Sequence, residues 1–304
     1  MKVILAGGTG FIGKRLIETL LDRGDTVVLL TRSLPDAQRR WAGRVDARLW
    51  NGRDPGPWAL TLDGADAVIN LAGESVAGGR WTPERKLALI KSRVDTTRAL
   101  VAAISAARER PLVFVSASAV GYYGLSPEGE STEDAPRGAD FLAALCGQWE
   151  RDARDAEKLE VRVVMTRFGV VLGAEGGALA KMLTPFKLGV GGPLGSGRQP
   201  FPWVHVDDAV GAILLALDDA KLTGPVNVTS PDARSNAEFT KALGRALHRP
   251  AFLPAPAFAL KLALGEMAGM LLHGQKAPPK KLLEHGYKFR HPTLDDALAS
   301  LLGK

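Results

Sequence analysis

The 304-residue sequence contains one cysteine, and it has neither a long apolar run nor a cluster of histidines. A single thiol, Cys146, excludes an internal disulfide framework, and the five histidines show no metal-ligand spacing, so no metal is expected. No stretch approaches the roughly 18 apolar residues of a membrane-spanning helix, and the first apolar run is too short for a signal-peptide core. These absences predict a soluble, cytoplasmic protein with no membrane segment.

The chain is basic, with a formal net charge of +6 and a pI near 9.5. Such a balance can indicate nucleic-acid binding, but the basic residues are spread along the chain and no aromatic-basic recognition motif is present. The charge therefore favours ordinary solubility together with an anionic cofactor, and no nucleic-acid partner is expected.

Glycines are plentiful near the start, where residues 7–13 read Gly-Gly-Thr-Gly-Phe-Ile-Gly after the apolar run of residues 3–6. Gly7 permits a tight turn, Gly10 lets the backbone approach a pyrophosphate, and Gly13 allows close packing of helix and strand. The following helix would offer its free N–H groups to the anion. The G-x-x-G-x-x-G spacing in this context predicts a dinucleotide-binding loop.

Short apolar runs alternate with helix-like stretches over the first half of the chain. The near-continuous Val/Ile/Leu character of the runs is typical of parallel strands buried on both faces. This pattern predicts an α/β fold with a Rossmann-type doubly wound parallel sheet. The predicted strands are 3–6, 26–31, 45–49, 67–71, 112–116 and 161–167, and the predicted helices are 14–23, 83–108 and 141–157.

Glycine and proline accumulate beyond residue 167, which indicates a second, smaller lobe. We place the cofactor-binding domain at residues 1–172 and an interleaved α/β substrate lobe at residues 173–304, with some elements returning to the main sheet. Ser235 and Glu238 form the pattern of a capping box for a helix reaching Leu247. Residues 254–272 read as an apolar, mostly helical segment, and Thr293 is expected to cap the last helix.

The residue that ends the second strand of such a sheet reads the adenosine ribose of the cofactor. An acidic side chain there binds the 2′-hydroxyl, whereas an arginine accommodates a 2′-phosphate. This chain has Thr31 and Arg32, with no Asp or Glu, which favours NADP(H) over NAD(H). The alternative is that Arg32 is simply a solvated side chain after a strand.

Other residues at the carboxyl edge of the sheet are expected to contact the cofactor. Trp50 and Asn51 end the third strand, close to where an adenine would lie, and Leu71, Ala72 and Gly73 close the fourth. Loop charges such as Glu74 and Arg80 would bind ribose or phosphate, or would only be solvated. The complete predicted cofactor set is Gly7, Thr9, Gly10, Phe11, Ile12, Gly13, Thr31, Arg32, Trp50, Asn51, Leu71, Ala72, Gly73, Glu74, Arg80, Ser116 and Arg167.

Several of these motifs together resemble the extended short-chain dehydrogenase/reductase superfamily: residues 7–13, 70–73, 115–124 and 203–208. Further segments look like its atypical "epimerase family" group, namely residues 70–75, 91–93, 141–150, 167–173, 191–197 and 278–292. The resemblance covers nearly the whole chain. It implies NADP binding, and it implies no particular substrate.

The resemblance also implies a Ser or Thr after the fifth strand and a Y-x-x-x-K motif on the next helix, which share the proton transfer. Ser118 fits the serine position. The helix after the acidic loop of residues 126–140 instead places Leu142 and Cys146 where the tyrosine and lysine would stand. Tyr122 and Tyr123 are the nearest phenols that would supply the acid instead, and Tyr122 is the candidate. Cys146 as a nucleophile is less favoured than Cys146 as a buried helix residue.

Two further features bear on the substrate side. Asp207 or Asp208, after His205, is expected to cap a helix and not to act in catalysis. Residues 189–197 read as a flexible glycine loop between the lobes that could close over a substrate, with Arg198 or Gln199 touching a polar ligand.

The sequence therefore supports two hypotheses. The first is an NADP(H)-dependent oxidoreductase or epimerase-like enzyme in which Ser118 and Tyr122 orient a carbonyl or hydroxyl group. The second is a non-catalytic regulator whose NADP(H) occupancy controls a partner. The substrate or effector and the oligomeric state are left open by the sequence.

Overall fold

A computed structural model describes residues 1–125 and 129–303 of the chain. The strands are β1 (Lys2–Ala6), β2 (Thr26–Thr31), β3 (Asp46–Leu49), β4 (Ala67–Asn70), β5 (Val113–Ala119), β6 (Arg162–Phe168), β7 (Val170–Gly173), β8 (Pro200–Phe201), β9 (Trp203–His205), β10 (Gly224–Val228) and β11 (Arg234–Ser235). The α-helices are α1 (Phe11–Asp22), α2 (Leu34–Trp41), α3 (Pro83–Ala106), α4 (Phe141–Arg154), α5 (Gly177–Lys187), α6 (Val206–Asp218), α7 (Asn236–Leu247), α8 (Ala257–Leu264), α9 (Gly269–Leu272), α10 (Lys280–Glu284) and α11 (Leu294–Leu302).

Seven strands form one parallel sheet in the order β10-β6-β5-β4-β1-β2-β3. The strand order reverses between β1 and β4, which is the switch point where ligands bind in doubly wound sheets. One face of the sheet is covered by α1, α2 and α6, and the other by α3 and the end of α4. The predicted Rossmann-type fold is therefore confirmed.

A separate apolar cluster holds the second lobe together, with α5, α7 and α11 packed around the fully buried Trp203 and Phe239. The predicted capping box is present: Ser235 accepts a hydrogen bond from the Glu238 N–H, and Glu238 reaches back to the Ser235 backbone. Thr293 caps α11 as expected. Strand β10 lies beyond residue 172 but pairs with β6, so the later part of the chain contributes to the main sheet.

Several element boundaries differ from prediction by a few residues, and two of these differences concern the site. Helix α1 begins at Phe11, immediately after the glycine loop, with Gly10 as its N-cap. Strand β5 continues to Ala119 because its last three residues still pair with β6, so Ser118 lies on the strand and not after it.

The predicted helix of residues 141–157 is an α-helix only to Arg154, and a 3₁₀ turn, Asp155–Leu159, follows it. Of the acidic loop predicted at 126–140, residues 126–128 lie outside the described residues. No helix in the described part of the chain is long and apolar enough to cross a membrane.

Candidate functional site

The glycine loop between β1 and α1 is tightly folded against the end of β4. Gly7 has φ +80, and a Cβ atom there would lie 2.4 Å from the backbone carbon of Leu71. A Cβ at Gly13 would lie 2.4 Å from the Gly7 carbonyl oxygen. Gly7 and Gly13 are therefore required by geometry. At Gly10 an added Cβ would meet only the Gly7 oxygen, at 3.2 Å, which leaves its outer side open to a ligand.

The first turn of α1 points free backbone donors into the space above this loop. The N–H groups of the first helical residues have no acceptor within the helix, and the helix dipole favours an anion there. The side chain of Phe11 turns away toward the second lobe, where side chains added at Gly173 or Gly176 would overlap its ring. Phe11 and Ile12 therefore remain predicted cofactor contacts through their backbone N–H groups.

A cleft of about 500 Å³ opens beside the loop at the carboxyl edge of the sheet. The structure brings eleven of the predicted cofactor residues together in its lining: Gly7, Thr9, Gly10, Thr31, Arg32, Trp50, Asn51, Leu71, Ala72, Gly73 and Glu74. Sequence reasoning missed the contribution of one face of α3 and the turn after β3, which add Gly52, Arg53, Ala88, Lys91, Ser92, Asp95 and Thr96. The spacing of residues 88, 91, 92 and 95, which places them on one helix face, was the signal for them.

The part of the cleft at the ends of β2 and β3 is positively charged. Arg32 is exposed at the end of β2 and lines the cleft, and Arg53 and Lys91 line it from the loop after β3 and from α3. The Asn51 side chain accepts the N–H groups of Arg53 and Asp54, which fixes that turn. Three cations next to a bound adenosine would attract the extra phosphate of NADP(H).

Of the two loop charges predicted to bind the cofactor, only Glu74 lines the cleft. Its carboxylate pairs with Arg85 at 3.2 Å. Arg80 instead donates to the Leu262 carbonyl at 3.2 Å and so holds α8 against the loop after β4. A loop arginine ten residues from the end of β4 reaches the second lobe because the two lobes meet there.

Ser118 takes part in a buried charged network beneath the cleft. Its hydroxyl donates to Glu150 Oε1 at 2.7 Å, and Arg167 binds both oxygens of the same carboxylate, at 2.7 and 2.8 Å. Arg167 is 1% exposed. Burial is the largest single influence on the pKa of Arg167 and lowers it, but the hydrogen bonds and charge attraction of Glu150 and Tyr123 together raise that pKa above its usual value.

Two residues predicted to touch the cofactor are occupied elsewhere. Arg167 donates within this network and to the Glu133 carbonyl, so its guanidinium faces the protein interior. Ser116 is 1% exposed and donates to the Ala117 carbonyl. Neither side chain lies in the lining of the cleft, because both strands are covered on both faces at these positions.

The two tyrosines after Ser118 have different environments. Tyr123 is buried, donates to Asn227 and accepts from Arg167. Burial raises the pKa of Tyr123 to about 12, so this phenol stays protonated and engaged. Tyr122 is half-buried, and its ring lies on the Arg167 guanidinium, 3.6 Å from its Cζ atom. Tyr122 is thus the more accessible of the two phenols.

Helix α4 carries Leu142 and Cys146 at the two positions where the superfamily resemblance implies tyrosine and lysine. Leu142 packs against Gly121, where an added Cβ would lie 3.4 Å from Leu142 Cβ. Cys146 hydrogen-bonds with Ser118 and the Ala119 backbone, and burial raises the pKa of its thiol to about 12. A protonated, buried thiol is a poor nucleophile, which disfavours a nucleophilic role for Cys146.

Arg93 is a cation at this end of the site to which the sequence reasoning gave no role. Its guanidinium lies 5.3 Å from the Trp149 ring centroid and donates to the Glu74 carbonyl at 2.9 Å. A side chain at Gly73 would contact it at 3.2 Å, and burial lowers its pKa. Arg93 therefore places a fixed positive charge between the end of β4 and helix α4, close to Cys146.

The expectation that Asp207 or Asp208 caps α6 is wrong. His205 is the N-cap, and its Nδ1 accepts the Asp207 N–H at 3.0 Å. Asp208 turns inward and accepts the backbone N–H groups of Arg290 and His291, which ties the C-terminal segment to α6. A neutral imidazole nitrogen serves here as the cap in place of the usual carboxylate.

Folding also brings His291 next to His205 and Asp207, which are two residues apart in the chain. The two imidazole rings stack with their centroids 3.9 Å apart, Asp207 binds Arg15 at 2.7 Å, and His291 meets Asp296. Each of the three side chains is therefore engaged in protein contacts.

The glycine loop of residues 189–197 is held in place by several hydrogen bonds. Asn236 accepts the Leu194 N–H, and the Gln199 side chain donates to the carbonyls of Leu194 and Leu271. Gln199 thus supports the loop. Contact of Arg198 or Gln199 with a ligand remains a prediction.

Comparison with known proteins gives consistent matches along the chain. Residues 3–229 match the NAD dependent epimerase/dehydratase family, and residues 255–301 match a domain of unknown function, DUF1731. The chain is 42% identical over 304 residues to the chloroplastic SDR39U1 homologue, an epimerase family protein of Arabidopsis thaliana, with 99% of this chain and 87% of the relative covered. It is 39% identical to the epimerase family protein YfhF of Bacillus subtilis, with coverage of 99% and 98%.

Among solved structures, the chain is similar to the crystal structure of human epimerase family protein SDR39U1 (isoform 2) with NADPH. The TM-score is 0.89 at 37% identity, and the similarity covers 100% of both chains. The human protein thus carries NADPH on the same overall fold.

Proposed function

Because this chain belongs to the NAD dependent epimerase/dehydratase family, within its SDR39U1-like group, we propose that it binds NADP(H) in the cleft beside the glycine loop. The observation that carries the proposal is the position of Arg32, exposed at the end of β2 in the lining of that cleft. The presence of NADPH in the human relative supports the choice.

Different residues of the cleft would bind different parts of the cofactor. Gly7, Gly10 and the first turn of α1 would hold the pyrophosphate through backbone N–H groups. Arg32, with Arg53 and Lys91, would bind the 2′-phosphate. When bound, NADP(H) supplies hydride transfer at its nicotinamide ring.

We further propose that the protein is an oxidoreductase or epimerase-like enzyme. The Ser118 hydroxyl donates a hydrogen bond to Glu150 and also contacts Cys146, so one lone pair of its oxygen remains to accept a hydrogen bond from a substrate hydroxyl. Arg167 keeps the Glu150 carboxylate in place beneath Ser118. Tyr122 would donate the proton to a carbonyl oxygen when hydride reaches the neighbouring carbon, and would take it back in the reverse direction.

The test is a cofactor titration followed by turnover. Purified protein is titrated with NADPH and NADH, and NADPH consumption is then followed with a panel of aldehydes, ketones and nucleotide sugars. We expect NADPH to bind more tightly than NADH and at least one substrate class to turn over. Ser118→Ala, which removes the hydroxyl that orients the substrate, should lower kcat/KM by about tenfold, because a hydrogen bond between neutral groups contributes about 0.5–1.5 kcal/mol. Ser105→Ala, an exposed serine of α3, is the matched control.

A non-catalytic, NADP(H)-binding regulator is the second candidate, favoured by Leu142 and Cys146 in the positions where the superfamily resemblance implies tyrosine and lysine. Tight NADPH binding without turnover on the whole panel would support it and overturn the enzyme. A cellular role that survives both Ser118→Ala and Tyr122→Phe but not Arg32→Glu would point the same way. Loss of that role in the first two variants would overturn the regulator.

A further inference from the structure

Helix α8 is apolar on every side, yet none of its residues is buried. Its eight residues contain one polar side chain, Lys261. Helices that are apolar all round are normally covered by the protein core or by a membrane. Phe258 and Leu262 are instead 75% and 78% exposed. This helix lies in the part of the chain that matches the domain of unknown function.

The exposed apolar surface continues beyond α8 onto two neighbouring segments. Residues 191–195 and 253–255 are joined by backbone hydrogen bonds, which place the start of α8 beside the glycine loop. Twelve large hydrophobic side chains are exposed in the described parts of the chain, and half of them lie within residues 188–190 and 252–262. These six, which we call the apolar patch, are Leu188, Val190, Phe252, Leu253, Phe258 and Leu262.

The segments that carry the apolar patch are strongly basic. Residues 176–205 and 239–265 together contain seven lysine and arginine residues and no aspartate or glutamate. Lys241, Arg245 and Arg249 line one groove of about 790 Å³ with Phe252. From the neighbouring helix α11, Asp295 pairs with Arg245 of this groove at 3.0 Å.

Two polar contacts near the end of α8 hold the helix in this position. Arg80 donates to the Leu262 carbonyl, and Lys86 forms an ion pair with Glu266 just after the helix. These contacts leave the Phe258 and Leu262 side chains outside. The fold therefore keeps the apolar patch exposed to solvent.

We propose that the apolar patch and its basic rim bind the surface of an anionic lipid bilayer. A second copy of the chain is disfavoured, because a symmetric contact would bring two basic surfaces together. Aliphatic and phenylalanine side chains flanked by cations fit an interfacial lipid contact, in which apolar groups enter the headgroup boundary and cations meet anionic headgroups.

Co-sedimentation with vesicles tests the proposal. The full-length protein is mixed at low salt with vesicles of phosphatidylcholine alone or of phosphatidylcholine with phosphatidylglycerol. We expect binding to the anionic vesicles only, weakened by added salt. The double variant Phe258→Asp/Leu262→Asp should reduce binding at least about tenfold, because two apolar anchors are lost. Lys241→Glu/Arg249→Glu should reduce it similarly, through the rim.

Leu60→Asp/Leu112→Asp is the matched control, since these leucines are 79% and 72% exposed elsewhere on the molecule and should leave binding unchanged. Because all the substituted side chains are exposed, unchanged thermal unfolding confirms that each variant is folded. Absence of wild-type binding to anionic vesicles would overturn the proposal. So would an equal loss in the Leu60/Leu112 control, or a wild-type dimer that Phe258→Asp/Leu262→Asp converts to a monomer.

Discussion

At the scale of single residues, the site depends on charges that are fully compensated within the protein. Glu150 and Arg167 are each 1% exposed, yet they bind each other through two hydrogen bonds, and Ser118 adds a third to the carboxylate. Removing one partner of such a pair leaves an uncompensated buried charge, which costs about 3–5 kcal/mol. The pair therefore fixes Ser118 with a rigidity that a solvated residue could not provide.

Arg32 is the opposite case, a charge that is exposed and available to a ligand. Arg32→Glu should weaken NADPH binding about tenfold to a hundredfold, because hydrogen bonds to a charged group contribute about 1.5–3 kcal/mol each. NADH binding should change much less. Titration of both cofactors measures the effect. Arg44→Glu is the control, with the same charge change on a side chain that is 57% exposed and outside the cleft lining. Equal weakening of both cofactors by Arg32→Glu would refute the assignment.

At the scale of elements, the N-cap of helix α6 is a histidine, and this makes the stability of the protein depend on pH. His205 caps the helix with Nδ1 and is 2% exposed. Burial and the neighbouring His291 lower the pKa of His205 to about 4. The cap therefore works only in the neutral imidazole, and protonation would replace an acceptor with a donor facing the helix N–H.

The sign of the pH effect follows from this lowered pKa. As pH falls below about 6.5, the unfolded chain binds a proton at His205 and the folded chain does not, so the free energy of unfolding should fall by about 2 kcal/mol between pH 7 and about pH 5. His205→Asn keeps a good cap without titrating and should lose this part of the slope. Urea unfolding at both pH values measures it.

His248→Asn provides the control for that measurement, since His248 is exposed and its left-handed backbone, with φ 52, accepts Asn. It should keep the wild-type slope. If His205→Asn also keeps the full slope, the attribution to His205 is wrong.

At the scale of the whole molecule, the two lobes share elements and are not independent. Helix α6 and strand β10 come from beyond residue 172, but they complete the core and edge of the main sheet. Asp208 on α6 in turn accepts hydrogen bonds from the backbone near residue 290. The chain thus passes from the sheet to the second lobe and returns.

A fragment of residues 1–172 should therefore fail to fold by itself. It would expose the apolar face that α6 covers and leave β6 as an unprotected edge strand, which favours aggregation. Circular dichroism and size-exclusion chromatography should show an unfolded or aggregated fragment, beside the full chain as a folded control. A compact fragment with a cooperative thermal transition would contradict this expectation.

The sequence alone determined the fold class and the cofactor cradle, because both follow from local chemistry. Buried parallel strands need continuous apolar runs, and a loop folded as tightly as residues 7–13 needs glycine at the positions where a Cβ has no room. The position of Arg32 in the cleft was also identifiable, since it follows from the place of this residue at the end of a strand.

Only the tertiary structure decided which distant side chains meet. Arg80 was predicted in the cleft and instead binds α8, Arg167 is enclosed by Glu150, and Arg93 stands beside Cys146. His205 caps α6 in place of the predicted aspartates. Long, charged side chains choose partners across tens to hundreds of residues by desolvation and geometry, and no local pattern encodes that choice. The exposed helix α8 shows the same limit, because an apolar sequence of this kind is typical of a buried helix and the fold leaves it at the surface.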